Sequence, residues 1–212
     1  LAVSVYRTWP KGAYSSFARA KKLRLKVNES KSKVAKPEQR HFLGFTMKYK
    51  VEDGSVTTTI SKRSRDRINS KVKELTPRNW GNSVDQCLKQ LNQYLIGWMG
   101  FFYVCSEEEC RIFNTIDGHI RRRLRAIILK HWKRKRNIAR KLIKLGVKQK
   151  TAWSIYDGKK SLWALSYSYP VERGLSNKHF VKMGLKSLLG LWQGLSSNRN
   201  VNAFIQLKLL FE

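Results

Sequence analysis

Two periods of hydrophobicity divide the chain. Leu23, Leu25 and Val27 alternate with Arg24 and Lys26, the spacing of a half-buried strand with one face inward. Residues 40–50, RHFLGFTMKYK, predict a second strand, Glu52-Asp53-Gly54 a hairpin turn, and Val56–Ile60 a return strand rich in Thr and Val. From Ser61 the period lengthens. Ser61 stands where a helix cap is expected, ahead of Ile68, Val72 and Leu75, and Pro77 with Asn79-Trp80-Gly81-Asn82 breaks that helix. Ser83 caps a second helix with Val84, Leu88, Leu91, Leu95 and Trp98 on one face, and Phe101, Phe102 and Tyr103 crowd its end.

Ser106 followed by Glu107, Glu108 and Glu109 predicts a third helix start, since acid suits the positive end of a helix dipole. Its stripe (Ile116, Ile120, Leu124, Ile127, Ile128 and Trp132) predicts a helix running to Arg136, so that one side packs while the rest carries charge. Asn137 to Leu145 continues helical and stops at Gly146; Lys148 to Tyr156 predicts a short helix closed by Asp157-Gly158. Beyond it, Trp163–Tyr169, Leu175–Gly184 and Leu185–Trp192 read as short elements around Pro170, in a region richer in loops. Ser196–Asn202 reads as a polar linker and residues 203–211 as a short apolar tail. The fold class is therefore mostly α (α+β): a small N-terminal β-strand portion, a helical bundle, and a loop-rich basic C-terminal region.

Composition sharpens this picture. Hydrophobic residues are 42% of the chain, with seven Trp, eight Tyr and nine Phe, too apolar for a disordered basic tail. No run approaches the roughly 18 to 20 apolar residues that span a bilayer, and the N-terminal apolar start is too short for a secretory signal. The reading is a cytoplasmic protein without a membrane partner. Cys87, Cys105 and Cys110 lack zinc spacing, and the four histidines are scattered; the cysteines read as reduced packing residues. No Gly-x-Ser-x-Gly occurs, and Ser-His-Asp chemistry has no support.

Charge supplies the candidate chemistry. Lys and Arg number 44 against 14 Asp plus Glu, a net +30. From Gly118 to Tyr156 there is no acid at all. Like charges at i and i+4 repel, so solvated surfaces usually mix signs, and a helix of one sign calls for a polyanion, best read as nucleic acid. The candidate contacts are Arg121, Arg122, Arg123, Arg125, Lys130, Lys133, Arg134, Lys135, Arg136, Arg140, Lys141 and Lys144. The first four lie on more than one helix face and cannot all serve one groove; pairing with Glu107–Glu109 of a neighbouring turn is the competing reading. Trp98, Phe101 and Phe102 have the spacing of core residues rather than of a base-stacking platform, as does Trp132. Asn177, in GLSN at 174–177, reads as a turn or cap residue.

Several ordered motifs carry a resemblance. KLRLKVNESKSKV at 22–34 with RHFLGF at 40–45 resembles the end of the palm in group II intron reverse transcriptases. ISKRSRDRINSKVKELTPRNWGNSVDQCLKQLNQYLIGWMGFF at 60–102 is similar to their maturase-specific thumb, and IRRRLRAIILKHWKRKR at 120–136 to its basic helix. KLIKLG at 141–146, ALSYSYPVERGLSNKHF at 164–180 and GLKSLLGLW at 184–192 continue the likeness, which spans roughly residues 20–193. The resemblance implies a palm remnant with a β-hairpin over 1–59, thumb helices over 60–136, a basic nucleic-acid-binding region over 137–193 and a tail over 194–212. It also implies structured group II intron RNA as partner, with target DNA as a second, and assistance to splicing as the function.

One departure matters. Polymerisation in that family uses a Tyr-Ala-Asp-Asp motif upstream of the KLRLKVN strand, because two-metal phosphoryl transfer needs clustered carboxylates. The first sixty residues hold one Asp, Asp53, and no two aspartates adjoin. The chain reads as a truncated part without a polymerase site, catalytic residues or a cofactor of its own; Mg2+ belongs to the full-length family enzyme. The alternative reading is a thumb fragment that restores polymerisation with a separate finger-palm chain.

Overall fold

The computed structural model describes residues 42–50, 54–77, 81, 83–156 and 160–197. The expected strand at Leu23–Val27, the turn residues Glu52-Asp53, the breaker at Asn79-Trp80, the helix stop at Asp157-Gly158 and the tail at 203–211 lie outside these residues.

Strands β1 (Phe45–Tyr49) and β2 (Val56–Ile60) form an antiparallel hairpin, with Phe45 opposite Ile60 and Tyr49 opposite Val56. Gly44 seats this hairpin on the first helix. Its φ is +90°, and a Cβ there would come within 2.8 Å of Ser64 Oγ and 3.2 Å of the Phe102 ring, so only glycine allows the approach. Its carbonyl accepts the Ser61 N–H at 2.9 Å and the Ser64 hydroxyl at 3.0 Å.

Helices α1 (Lys62–Leu75) and α2 (Val84–Phe102) start at the serines the pattern marks. Ser61 Oγ accepts the Ser64 N–H at 3.3 Å and Ser83 Oγ the Gln86 N–H at 3.2 Å, each satisfying an orphan amide of the first turn. Ile68, Val72, Leu88, Leu91 and Leu95 are buried where these helices meet. Ser106 departs from expectation. Glu107–Glu109 is one 3-10 turn, and Ser106 gives it no side-chain cap. Its hydroxyl and amide bond Thr58 on β2 instead, at 3.0–3.1 Å, because the open edge of the two-stranded sheet offers unpaired backbone groups.

Helix α3 (Cys110–Trp132) is the pillar of the bundle. Every residue from Leu124 to Leu129 is buried, so this stretch is enclosed on all sides rather than packed on one. The expected run to Arg136 does not occur. Lys133 takes φ +60°, Arg134 is extended, and α4 (Lys135–Lys144) begins anew. The break lets α4 turn back and bury Ile138, Ala139 and Leu142, and no Gly or Pro marks it. Gly146, at φ +88°, ends α4 as expected of a left-handed stop.

The C-terminal third is more helical than its loop-rich reading, with short helices inside the segments expected as short elements. It comprises α5 (Gln149–Trp153), α6 (Leu162–Leu165), α7 (Tyr169–Gly174), α8 (Asn177–Lys182) and a helix at residues 188–197, called α9. Most of these are too short to display a 3.6-residue period. Gly174 brings α7 onto α4: a Cβ there would fall 2.6 Å from Leu142 Cδ2. One hydrophobic cluster runs from Ile60 through α1–α4 to Phe180, Leu188 and Trp192. No helix among the described residues is long and apolar enough to cross a membrane.

Candidate nucleic-acid interface

The four arginines of RRRLR do different work. Arg123 turns toward the end of α1. Its Nε donates to Thr76 Oγ1 at 2.5 Å, and its Nη2 to the Thr76 and Lys73 carbonyls at 2.6 and 3.2 Å. A guanidinium there satisfies orphan carbonyls and meets the negative end of the helix dipole. Arg125 does the same for α7. It is 6% exposed, and it donates to the Leu175 carbonyl at 3.1 Å and to Glu172 at 2.8 Å. Burial lowers its pKa, and Glu172 draws it back up. The partner is thus Glu172, not the Glu107–Glu109 turn. Arg122 lies over the rings of Trp163 and Tyr167, at 4.3 and 5.2 Å, a cation–π arrangement. Arg121 faces the cavities beside α8.

The cations beyond Lys130 sit otherwise. Lys133, Arg134, Arg136, Arg140, Lys141 and Lys144 are exposed around the α3–α4 elbow, and Lys148 and Lys150 continue the run at α5. Lys130 is exposed at the end of α3 and Lys135 half-buried, with its ammonium 5.9 Å from the Tyr156 ring. Arg136, Arg140 and Lys144 recur every four residues, opposite the buried Ile138 and Leu142, which gathers like charge on one face. The ion pairs among the described residues are Lys50–Glu108, Lys71–Glu74 and Arg125–Glu172. The last of these takes a cation from the candidate set, and it takes an inward one.

The aromatic expectations hold in part. Phe102 is buried, and Trp98 stacks on it at 4.3 Å. Phe101 stays 49% exposed, stacked against Phe45 at 5.3 Å, because its position points away from the stripe that places Trp98 and Phe102 inward. Trp132 is half-buried beneath the Lys141 ammonium, 5.4 Å from its ring centre. Ser176 holds the cap position of α8 and Asn177 is its first residue.

Sequence reasoning missed the wall of a cleft. Two cavities of about 690 and 510 Å³ adjoin between α3 and α7–α8, and both are lined by Arg125, Glu172 and Asn177. Tyr167, Tyr169, Arg173 and Lys178 stand around them. The available signal was Ser166-Tyr167-Ser168-Tyr169, in which rings two apart between serines fit neither face of a helical core.

Two side chains bind the last elements to the bundle. Both carboxylate oxygens of Asp117 accept amides at the start of α9, from Leu188 at 2.8 Å and Leu189 at 3.2 Å. Asn92 on α2 donates to the Gly184 carbonyl at 2.8 Å and accepts the Lys186 N–H at 2.9 Å. Burial raises the Asp117 pKa above the usual carboxylate value, while the two amides and Arg121 oppose it. Cys87 and Cys105 are buried free thiols, and burial pushes Cys105 up to about 12. Among the described residues no group of three His, Cys, Asp or Glu side chains is placed to hold a metal ion.

Residues 65–146 match the family model of the group II intron, maturase-specific domain. The matched span begins in α1 and ends at Gly146, the stop of α4, so it takes in α3 and the cationic elbow. The resemblance read from the motifs stands over this span, which is similar to that domain. No curated protein matches the chain.

Proposed function

We propose, from a chain whose residues 65–146 match the group II intron maturase-specific domain, that the protein binds structured group II intron RNA in the cytoplasm. It holds the folded intron, assists its splicing, and has no polymerase site of its own. One observation carries this reading: the exposed cations Lys133, Arg134, Arg136, Arg140, Lys141 and Lys144 of the acid-free α3–α4 elbow. Arg presents a two-pronged donor to phosphate and Lys a point charge. Structured RNA is held mostly through backbone and 2′-hydroxyl contacts rather than base edges. In this reading residues 1–59 are a palm remnant, 60–136 the thumb, 137–193 a further nucleic-acid-binding region and 194–212 a tail.

The test is a salt series. If the elbow engages several phosphates, affinity for a folded intron RNA falls by orders of magnitude between about 50 and 200 mM salt. A salt-insensitive isotherm overturns the proposal.

Phe42 and Leu43, both 68% exposed beside the hairpin, support a second reading. They would seat a separately encoded finger-palm chain, and target DNA would join RNA as a ligand. Primer extension by this chain alone fails in either case; extension restored by the second chain favours this one.

A further inference from the structure

The cleft between α3 and α7–α8 differs in character from the elbow. Its rim carries two tyrosines, Tyr167 and Tyr169, 67% and 68% exposed. Rings so exposed contribute little to the core. The backbone that carries them is tied down: Ser166 and Ser168 donate their hydroxyls to the Trp163 and Leu165 carbonyls, each at 2.7 Å. A rigid turn thus presents two aromatic faces to solvent.

The floor is cationic and incompletely satisfied. Arg121 and Arg122 enter from α3, and Arg173 and Lys178 from the far side. The one acid in the lining, Glu172, is paired with Arg125 at 2.8 Å. Two buried polar atoms of the wall, Arg122 Nε and His119 Nε2, have no hydrogen-bond partner, and buried polar groups ordinarily have one. The space, about 510 Å³ on this side, falls within the range of small-molecule sites.

Aromatic faces beside phosphate-seeking cations match one kind of ligand. A base inside a duplex already stacks on its neighbours and has no face to offer. A base splayed from a loop or bulge has one, and aromatic side chains take it with little regard to sequence. We propose that the α3–α7–α8 cleft is a pocket for an unstacked nucleotide of RNA, its base on Tyr167 or Tyr169 and its phosphate against Arg121, Arg173 and Lys178. This rests on the RNA-binding reading above. It adds that recognition includes single-stranded features, read at a place separate from the elbow. Asn177, shared by both cavities, lies within reach of the base edge, where its amide can donate and accept.

The test compares two RNAs of equal phosphate number, a hairpin with a single-stranded loop and a blunt duplex, titrated against the 212-residue chain. The wild type binds the hairpin more tightly. The double variant Tyr167→Ala/Tyr169→Ala raises the hairpin Kd about tenfold, while the duplex Kd and the salt slope stay in place. Tyr167→Phe/Tyr169→Phe keeps the rings and retains most of the hairpin affinity. Both rings are exposed and Tyr167 gives up only its contact with Arg122, so little change in melting temperature is expected, which separates lost binding from lost folding. A hairpin Kd unaffected by the alanine pair overturns the pocket, as does an equal loss in the phenylalanine pair. A wild-type chain that binds neither RNA overturns the RNA-binding reading itself, and the pocket with it.

Discussion

Arg125 and Glu172 join α3 to α7 through a 2.8 Å ion pair, with the Leu175 carbonyl accepting from the same guanidinium at 3.1 Å. The arginine is buried and the glutamate is 43% exposed, so solvent softens one end of the pair. Removing the arginine strands a buried carbonyl and leaves a carboxylate at the core edge without its partner.

Arg125→Ala is therefore expected to destabilise the fold by about 2–3 kcal/mol. Arg125→Lys keeps the charge but cannot reach both acceptors, and about half that loss is expected. Urea denaturation measures both. A loss under about 0.5 kcal/mol for the alanine variant would show that the pair does not anchor α7.

The same residue marks the limit of what the sequence reveals. Helical spacing of Ile68, Val72, Leu88, Leu91 and Leu95 stated which faces pack, and Ser61 and Ser83 stated where two helices begin. These signals are local, so they survive without coordinates. RRRLR is not local in its meaning. Whether an arginine faces solvent or caps another helix depends on where the ends of α1 and α7 come to rest, about fifty positions away in the chain. The break at Lys133 is silent for a similar reason, since the bend is imposed by the return of Ile138 and Leu142 to the core. Beyond the Ser166-Tyr167-Ser168-Tyr169 signal, the cleft left little trace, because its walls come from α3 and from helices too short to announce themselves.

Asp117 gives a second prediction. It acts as a cap supplied from another helix, with one carboxylate oxygen for each of the Leu188 and Leu189 amides. Asp117→Ala is expected to cost about 2 kcal/mol, the loss of a charged cap held away from solvent. Asp117→Asn keeps one acceptor and turns a donor toward the other amide, so an intermediate loss follows. Amide exchange at Leu188 and Leu189 in the alanine variant should quicken more than exchange in α2; equal quickening everywhere would point to a global effect instead.

His119 sets a pH response. Burial holds its pKa below the ordinary value near 6.5, and Arg123, Lys73 and Arg122 lower it further. The folded state thus favours the neutral ring. As pH falls through about 6.5 the unfolded chain takes up the proton first, so stability declines from there toward the folded pKa. His179 contributes with the same sign, through burial and Lys182. Asp117 and Glu109, raised by burial, act oppositely, since their protonation favours the folded form. Melting temperatures of wild type and His119→Gln compared at each pH between 5 and 7.5 isolate the histidine. The variant should lose less on acidification, and parallel curves would refute this.

The last prediction separates cations that hold the protein from cations that hold RNA. Arg136, Arg140 and Lys144 lie on the exposed face of α4, turned away from the buried Ile138 and Leu142. Replacing all three by Gln relieves repulsion at i and i+4 spacing, so stability should stay level or rise by a few tenths of a kcal/mol. Affinity for folded RNA should weaken at low salt. The slope of log Kd against log salt should shrink by roughly 0.7–0.9 for each phosphate contact removed. Arg123→Gln and Arg125→Gln should do the reverse, lowering the urea midpoint while leaving the salt slope unchanged in whatever fraction remains folded. The two outcomes cross only if the elbow and the inward arginines have been assigned correctly. A shared loss of slope in both variants would mean that Arg123 and Arg125 reach RNA after all, despite their bonds to the ends of α1 and α7.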